Sequence, residues 1–212
     1  MYKVPVFPTA YLPPIIYFTG LLNYKEIMIE ACETFPRQTW RNRCSIASAQ
    51  GKLDLIIPVR KPNGNHTETG EIIIDYSQKW QNNHWRAIES AYNKSPYFLY
   101  CSDALKDLIY SNTESLLDFN SNLLRFFLNF FKLSKNISYT RSYAPADPDH
   151  DLRKRLDPKG KMIFSKEDFP VYYQVFSDRL PFLPNLSILD LAVNEGPYGV
   201  EYLEKITSHP YL

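Results

Sequence analysis

The sequence predicts an α/β fold in a single domain over residues 1–212: a small mixed, partly parallel sheet with helices packed on it. Three observations predict it. The chain opens on an extended run, a helix-length run and a second extended run, at the spacing of a βαβ unit. Its middle is helical, with apolar residues recurring every four positions. Hydrophobic residues make up 44% of 212 residues, enough for a sizeable core.

Val4 to Phe7 reads as the first strand, and a Pro-rich turn follows. Pro13 and Pro14 then start a helix over Ile15 to Tyr24, where a missing N–H does no harm. Ile27 to Glu30 is the second strand, which makes the first pair parallel. Arg43 to Ser48 and Leu53 to Val59 flank Gln50-Gly51 and predict a hairpin. Lys61 to Gly70 is a polar loop of turn formers, followed by a strand over Glu71 to Asp75. Ser77 is expected to cap a helix reaching about Asn93, whose face carries Trp80, His84, Ile88 and Tyr92. Pro96 is expected to open another helix to about Tyr110, and Leu116 to Leu133 forms the longest. Ile137 to Arg141 reads as a strand. The charged loop at about 142–168 is the candidate lid, with Ala146 to Lys161 its most polar part. Val171 to Phe176 reads as a last strand, before helices near Ser187 to Asn194 and Tyr198 to Ile206.

The charge balance excludes several classes. The net charge is +1, so no global field draws a polyanion, and nucleic acid is not an expected partner. No stretch of 18 apolar residues predicts a membrane span. The first residues lack the charged and apolar zones of a signal peptide. Cys32, Cys44 and Cys101 have no CxxC spacing, which suits free thiols in a reducing cytoplasm. No nucleophile triad, phosphate loop or metal-ligand spacing appears, and no motif names a cofactor or an oligomeric state.

The candidate site residues come from smaller patterns. Arg41 and Arg43, flanking Asn42 after Gln38, would project to one side of an extended stretch and form a fork for a phosphate or carboxylate. His84 would serve as a proton carrier if it lines a pocket, and would otherwise be a satisfied core histidine. Tyr11 follows the first strand, where open α/β sheets bind ligands; it reads equally as an aromatic plug. Asp147, Asp149, His150 and Asp151 are too irregular for a metal loop. Arg153, Lys154 and Arg155, with Lys159 and Lys161, read as a solvated charge run rather than a phosphate clamp. Cys32 and Cys44 read as buried small residues. Ser187, Asp190 and Asn194 fall on one stripe of an otherwise apolar helix; Ser187 and Asp190 stand at capping-box spacing, and the stripe as a whole points to a buried carboxylate needing a partner. Arg41 or Arg43 is the expected partner.

Several stretches resemble the WbqC-like family: Pro8 to Phe18, Thr34 to Ile46 with its Trp40-Arg-Asn-Arg, Leu55 to Val59, Trp80 to Phe98, and Tyr172 to Pro197 with Pro184-Asn-Leu-Ser-Ile-Leu-Asp190. The nearest likeness is to the Bacteroides-type branch. The resemblance implies a role beside bacterial O-antigen and other surface-polysaccharide synthesis. By analogy it implies a transferase acting on an amino sugar, with a nucleotide sugar or another anionic small molecule as ligand. The alternative is a non-catalytic sugar-binding or scaffolding protein of that pathway. Arg41 and Arg43 would bind the anion; Gln174, Asn185 and Asp190 would orient it. One departure stands out: Leu180-Pro181 precedes Phe182 where relatives carry Gly or His-Gly, so no histidine can act there.

Overall fold

A computed structural model describes residues 3–147, 150–156 and 165–207. The α/β expectation holds, with the strands in three small sheets. Strand β1 (Val6–Pro8), helix α1 (Ile15–Leu22) and strand β2 (Glu26–Glu30) form the predicted unit, and β1 pairs with β2 in parallel. Strands β3 (Arg43–Ser48) and β4 (Gly51–Ile56) form the predicted antiparallel hairpin, with Ala47 opposite Lys52. Strands β5 (Val59–Arg60) and β6 (Ile73–Ile74) pair as a second antiparallel ribbon. Helices α2 (Trp80–Tyr92), α3 (Ser102–Ile109) and α4 (Leu116–Phe130) make the helical middle. Strand β7 (Asn136–Tyr139) then adds in parallel to β2, so the parallel sheet runs β1-β2-β7. Helices α5 (Leu152–Arg155), α6 (Ile188–Glu195) and α7 (Gly199–Thr207) complete the described chain.

Helix α1 is buried from Ile15 to Leu21, so its first amides cannot turn to water. Distant groups satisfy them instead. Ile15 N–H donates to the Leu186 carbonyl at 2.9 Å, and Ile16 N–H to Asn185 Oδ1 at 3.1 Å. This docks the C-terminal segment on the Pro-rich turn, reinforced by Ile188 N–H to the Pro13 carbonyl and Ser187 N–H to the Ser45 carbonyl.

Four local expectations need correction. Ser77 does not cap α2: its N–H turns to Asp75 Oδ1, and the helix begins three residues later behind Lys79. The predicted helix after Pro96 is broken into a 3-10 turn (Phe98–Tyr100) and α3, with the junction at Cys101, whose φ of −126° is not helical. Val171 to Phe176 belongs to no strand: residues 171–174 pair with no neighbouring strand, and Val175 and Phe176 already lie in a turn. In the C-terminal helix Asp190 does not complete a capping box; the Ser187 hydroxyl caps α6 by accepting from Leu189 N–H.

Candidate functional site

Among the described residues, two buried groups of polar side chains hold carboxylates, one enclosed and one beside a cavity. The closed group centres on Asp190, which is 0% exposed. Tyr92 and Tyr172 hydroxyls donate to its carboxylate at 2.9 and 2.5 Å, and Gln174 Nε2 donates at 3.0 Å. No cation is among these partners, so the expected pairing with Arg41 or Arg43 is wrong. Burial pushes the Asp190 carboxyl above the usual range, and these donors oppose the shift. Tyr92 is the link to the upstream segment: its oxygen accepts from Ala47 N–H on β3 while its proton goes to Asp190. Gln174 also brackets the Leu183 backbone, accepting from its N–H and donating to its carbonyl. Asn194 Nδ2 donates to the Asp190 backbone carbonyl rather than to a ligand. These groups join α2, β3, the 172–174 stretch and α6.

His84 is also in the core. Its Nδ1 pairs with the Tyr11 hydroxyl at 2.9 Å, the two rings stack at 5.6 Å, and Trp80 meets it edge-on. Burial lowers its pKa to about 4, against an opposing hydrogen bond at the Ile56 carbonyl. Neutral at physiological pH and enclosed, His84 and Tyr11 serve packing.

The open group lies where ligands sit in parallel sheets, at the carboxyl ends of the strands. Glu30 ends β2 with no exposed surface. One of its oxygens accepts from Cys32 N–H at 2.8 Å and the Thr140 hydroxyl at 2.7 Å; the other meets Arg153 Nη1. Arg153 also pairs with Asp151 Oδ2 at 2.8 Å and is 6% exposed. The reading of residues 153–155 as a solvated run is therefore wrong at Arg153. An arginine carries its charge at any accessible pH and is buried only with such partners. Lys159, Lys161 and Asp149 lie outside the described residues. Among the described residues no group of three His, Cys, Asp or Glu side chains is placed to hold a metal.

Beside this cluster, Cys32, Glu33, Thr34 and Tyr143 line a cavity of about 360 Å³. Arg41 is buried and holds Glu33 from behind. Its Nε and Nη2 both reach Oε1, at 2.7 and 2.6 Å, while Oε2 has no hydrogen-bond donor among the described residues. Burial raises the Glu33 carboxyl pKa, and the guanidinium opposes this. The Cys32 thiol is raised too, by burial and by the neighbouring acids Glu68 and Glu30, so it is not poised as a thiolate. The walls are held by backbone pairing of this stretch with 67–70: Thr69 N–H donates to the Glu33 carbonyl and Gly70 N–H to Ala31. The approach is close at Gly70, where a Cβ would sit 3.2 Å from the Ala31 oxygen.

The arginine fork does not form. Arg41 lies in the turn before β3 and reaches back to Glu33, whereas Arg43 begins β3 beside Asp54, 3.9 Å from its carboxylate. Asn42 donates to the Ile57 carbonyl, and Gln38 is exposed with a φ of +57°. Among the residues weighed from the sequence, Arg41 meets Glu33 of the cavity wall, Arg153 lies over the Tyr143 ring at 5.1 Å, and Cys32 is part of the wall itself. Glu30, Glu33, Thr140 and Tyr143 were not anticipated. The available signal was Glu30 itself, an acid ending the apolar run Ile27-Met-Ile29 at the ligand-binding edge of a parallel strand.

The profile of the WbqC-like protein family matches residues 9–157. The chain is similar to the "Uncharacterized protein Rv1507c" of Mycobacterium tuberculosis (strain ATCC 25618 / H37Rv), 24% identical over 96% of this chain and 98% of the relative. No solved structure matches.

Proposed function

The chain belongs to the WbqC-like protein family, and from that premise we propose an enzyme of bacterial surface-polysaccharide synthesis, of the O-antigen kind, that transfers a group to an amino sugar. The donor in this reading is a nucleotide sugar or another anionic sugar derivative. The observation that carries it is Glu33, a residue of the cavity wall held through one oxygen by Arg41, with no donor to the other oxygen among the described residues. A carboxylate with a raised pKa and a free oxygen is suited to take a proton from an attacking amine or hydroxyl. Both nearby guanidiniums, Arg41 and Arg153, are engaged by carboxylates. The cavity therefore offers a ligand a carboxylate oxygen, a thiol, a hydroxyl and a phenol. Those groups suit the amino-sugar partner better than the phosphates of a donor. In this reading Glu33 is the base, Arg41 positions it, and Tyr143 covers the bound ring.

Thermal unfolding with nucleotide-linked sugars and free amino sugars tests the proposal. A ligand at 100 times its Kd should stabilise the protein by about 2.7 kcal/mol. Glu33→Gln is expected to keep that shift and lose transfer, followed by mass spectrometry of the sugar product. Binding without transfer in the unaltered protein would favour the sugar-binding alternative. No shift with any of these ligands would overturn both.

A further inference from the structure

A second surface, on the outer side of α2, has chemistry of its own. Trp85, Phe98 and Leu99 line a depression of about 420 Å³ between α2 and α3, with Glu89, Ser102 and Asp103 at its edge. On the other flank of α2, Tyr173, Val175 and Phe176 line a depression of about 470 Å³, with Lys94, Asp178 and Arg179 beside them. The two share Ser90 and Asn93. Both are exposed, so the two depressions adjoin at the surface of α2. Leu99 is 81% and Tyr173 61% exposed, so each depression has an apolar surface turned to water.

We propose that this double depression binds a neutral carbohydrate chain, one sugar on each side of Ser90 and Asn93. A sugar ring has an apolar C–H face and a rim of hydroxyls. It needs an aromatic or aliphatic plate with paired donors and acceptors around it, and both depressions supply that combination. The charges argue against a polyanion. Arg86, Lys94, Lys106 and Arg179 stand against Glu89, Asp103 and Asp178, an excess of one positive charge, with Arg179 paired to Asp178 at 3.0 Å and Lys106 over the Trp85 ring. Nucleic acid or a phosphorylated chain would require a clear positive excess.

The test uses the full chain, with saturation-transfer NMR and calorimetry on chitohexaose, cellohexaose and maltohexaose. At least one should bind, and Tyr173→Ala and Glu89→Ala should each weaken it by roughly tenfold with thermal unfolding unchanged. Glu33→Gln should leave this binding intact, which separates the surface from the cavity at Glu33. The proposal is overturned if no hexasaccharide binds or if both variants bind as the parent does. Displacement by heparin at equal concentration would also overturn it. So would a dimer in sedimentation that Tyr173→Ala dissolves, because the surface would then be an interface between copies.

Discussion

Asp190 shows how a carboxylate is kept in a protein interior without a cation. Three neutral donors replace the water it loses, and a fourth group, Asn194, fixes the backbone that carries it. Tyr92→Phe would leave both the Ala47 N–H and one Asp190 oxygen short of a partner. The expected loss is about 1.5–3 kcal/mol, the range for hydrogen bonds to charged groups, measured by urea unfolding. His84 makes a pH-dependent forecast. Folding depresses its pKa from 6.5 to about 4, so the stabilisation from its neutral form is complete above pH 6.5 and is lost as pH falls toward 4. The loss amounts to roughly 3 kcal/mol. Asp190 and Glu33, whose carboxyl pKa values are raised, act with the opposite sign and lose stability as pH rises. The His84→Gln protein should therefore unfold with a smaller loss between pH 6.5 and 4 than the parent; equal slopes would show that His84 does not carry the effect.

Elements whose bonds are local were legible before the structure. The β3–β4 hairpin follows from Gln50-Gly51, and Gly51 takes a φ of +109° at the turn. The β1–α1–β2 unit follows from its spacing and Pro14. The stretch from Val171 to Phe176 was misread for an instructive reason. Its burial does alternate, with Val171 and Tyr173 outside and Tyr172 and Gln174 inside. Period-two burial requires only an extended chain over a core. A strand also needs a neighbour, and here Gln174 turns its amide to Leu183 and Asp190. Gly196 supplies the prediction at this scale. It ends α6 at φ +60°, ψ −142°, a region open essentially to glycine, and an added Cβ would fall 2.6 Å from the Tyr97 ring. Gly196→Ala should cost at least about 1–3 kcal/mol in thermal unfolding. Gly51→Ala should cost less, because it meets backbone strain with nothing within 4 Å.

At the scale of the molecule, the parallel sheet is closed at the carboxyl end of β2 by the Glu30–Arg153–Asp151 cluster, which ties α5 to β2. Arg153→Met would strand the Glu30 charge with no exposed surface, at an expected cost of about 3–5 kcal/mol. The Glu30→Gln, Arg153→Met double variant should recover part of that loss in the same urea titration, since the fully buried charge is gone and only the partly exposed Asp151 loses its partner. If the single and double variants are equally unstable, the cluster holds the fold through shape rather than charge. The sequence by itself determined the class of fold, the hairpin, the helical middle, the burial of Asp190 and the family resemblance, because each rests on periodicity, turn chemistry or a contiguous motif. Which side chains meet was decided by tertiary structure alone. Glu30 and Arg153 stand 123 positions apart and Tyr92 and Asp190 stand 98 apart, and no local pattern specifies a partner at that distance. Arg41 turned to Glu33, only 8 residues away, because a turn before β3 reverses the chain where an extended stretch was expected.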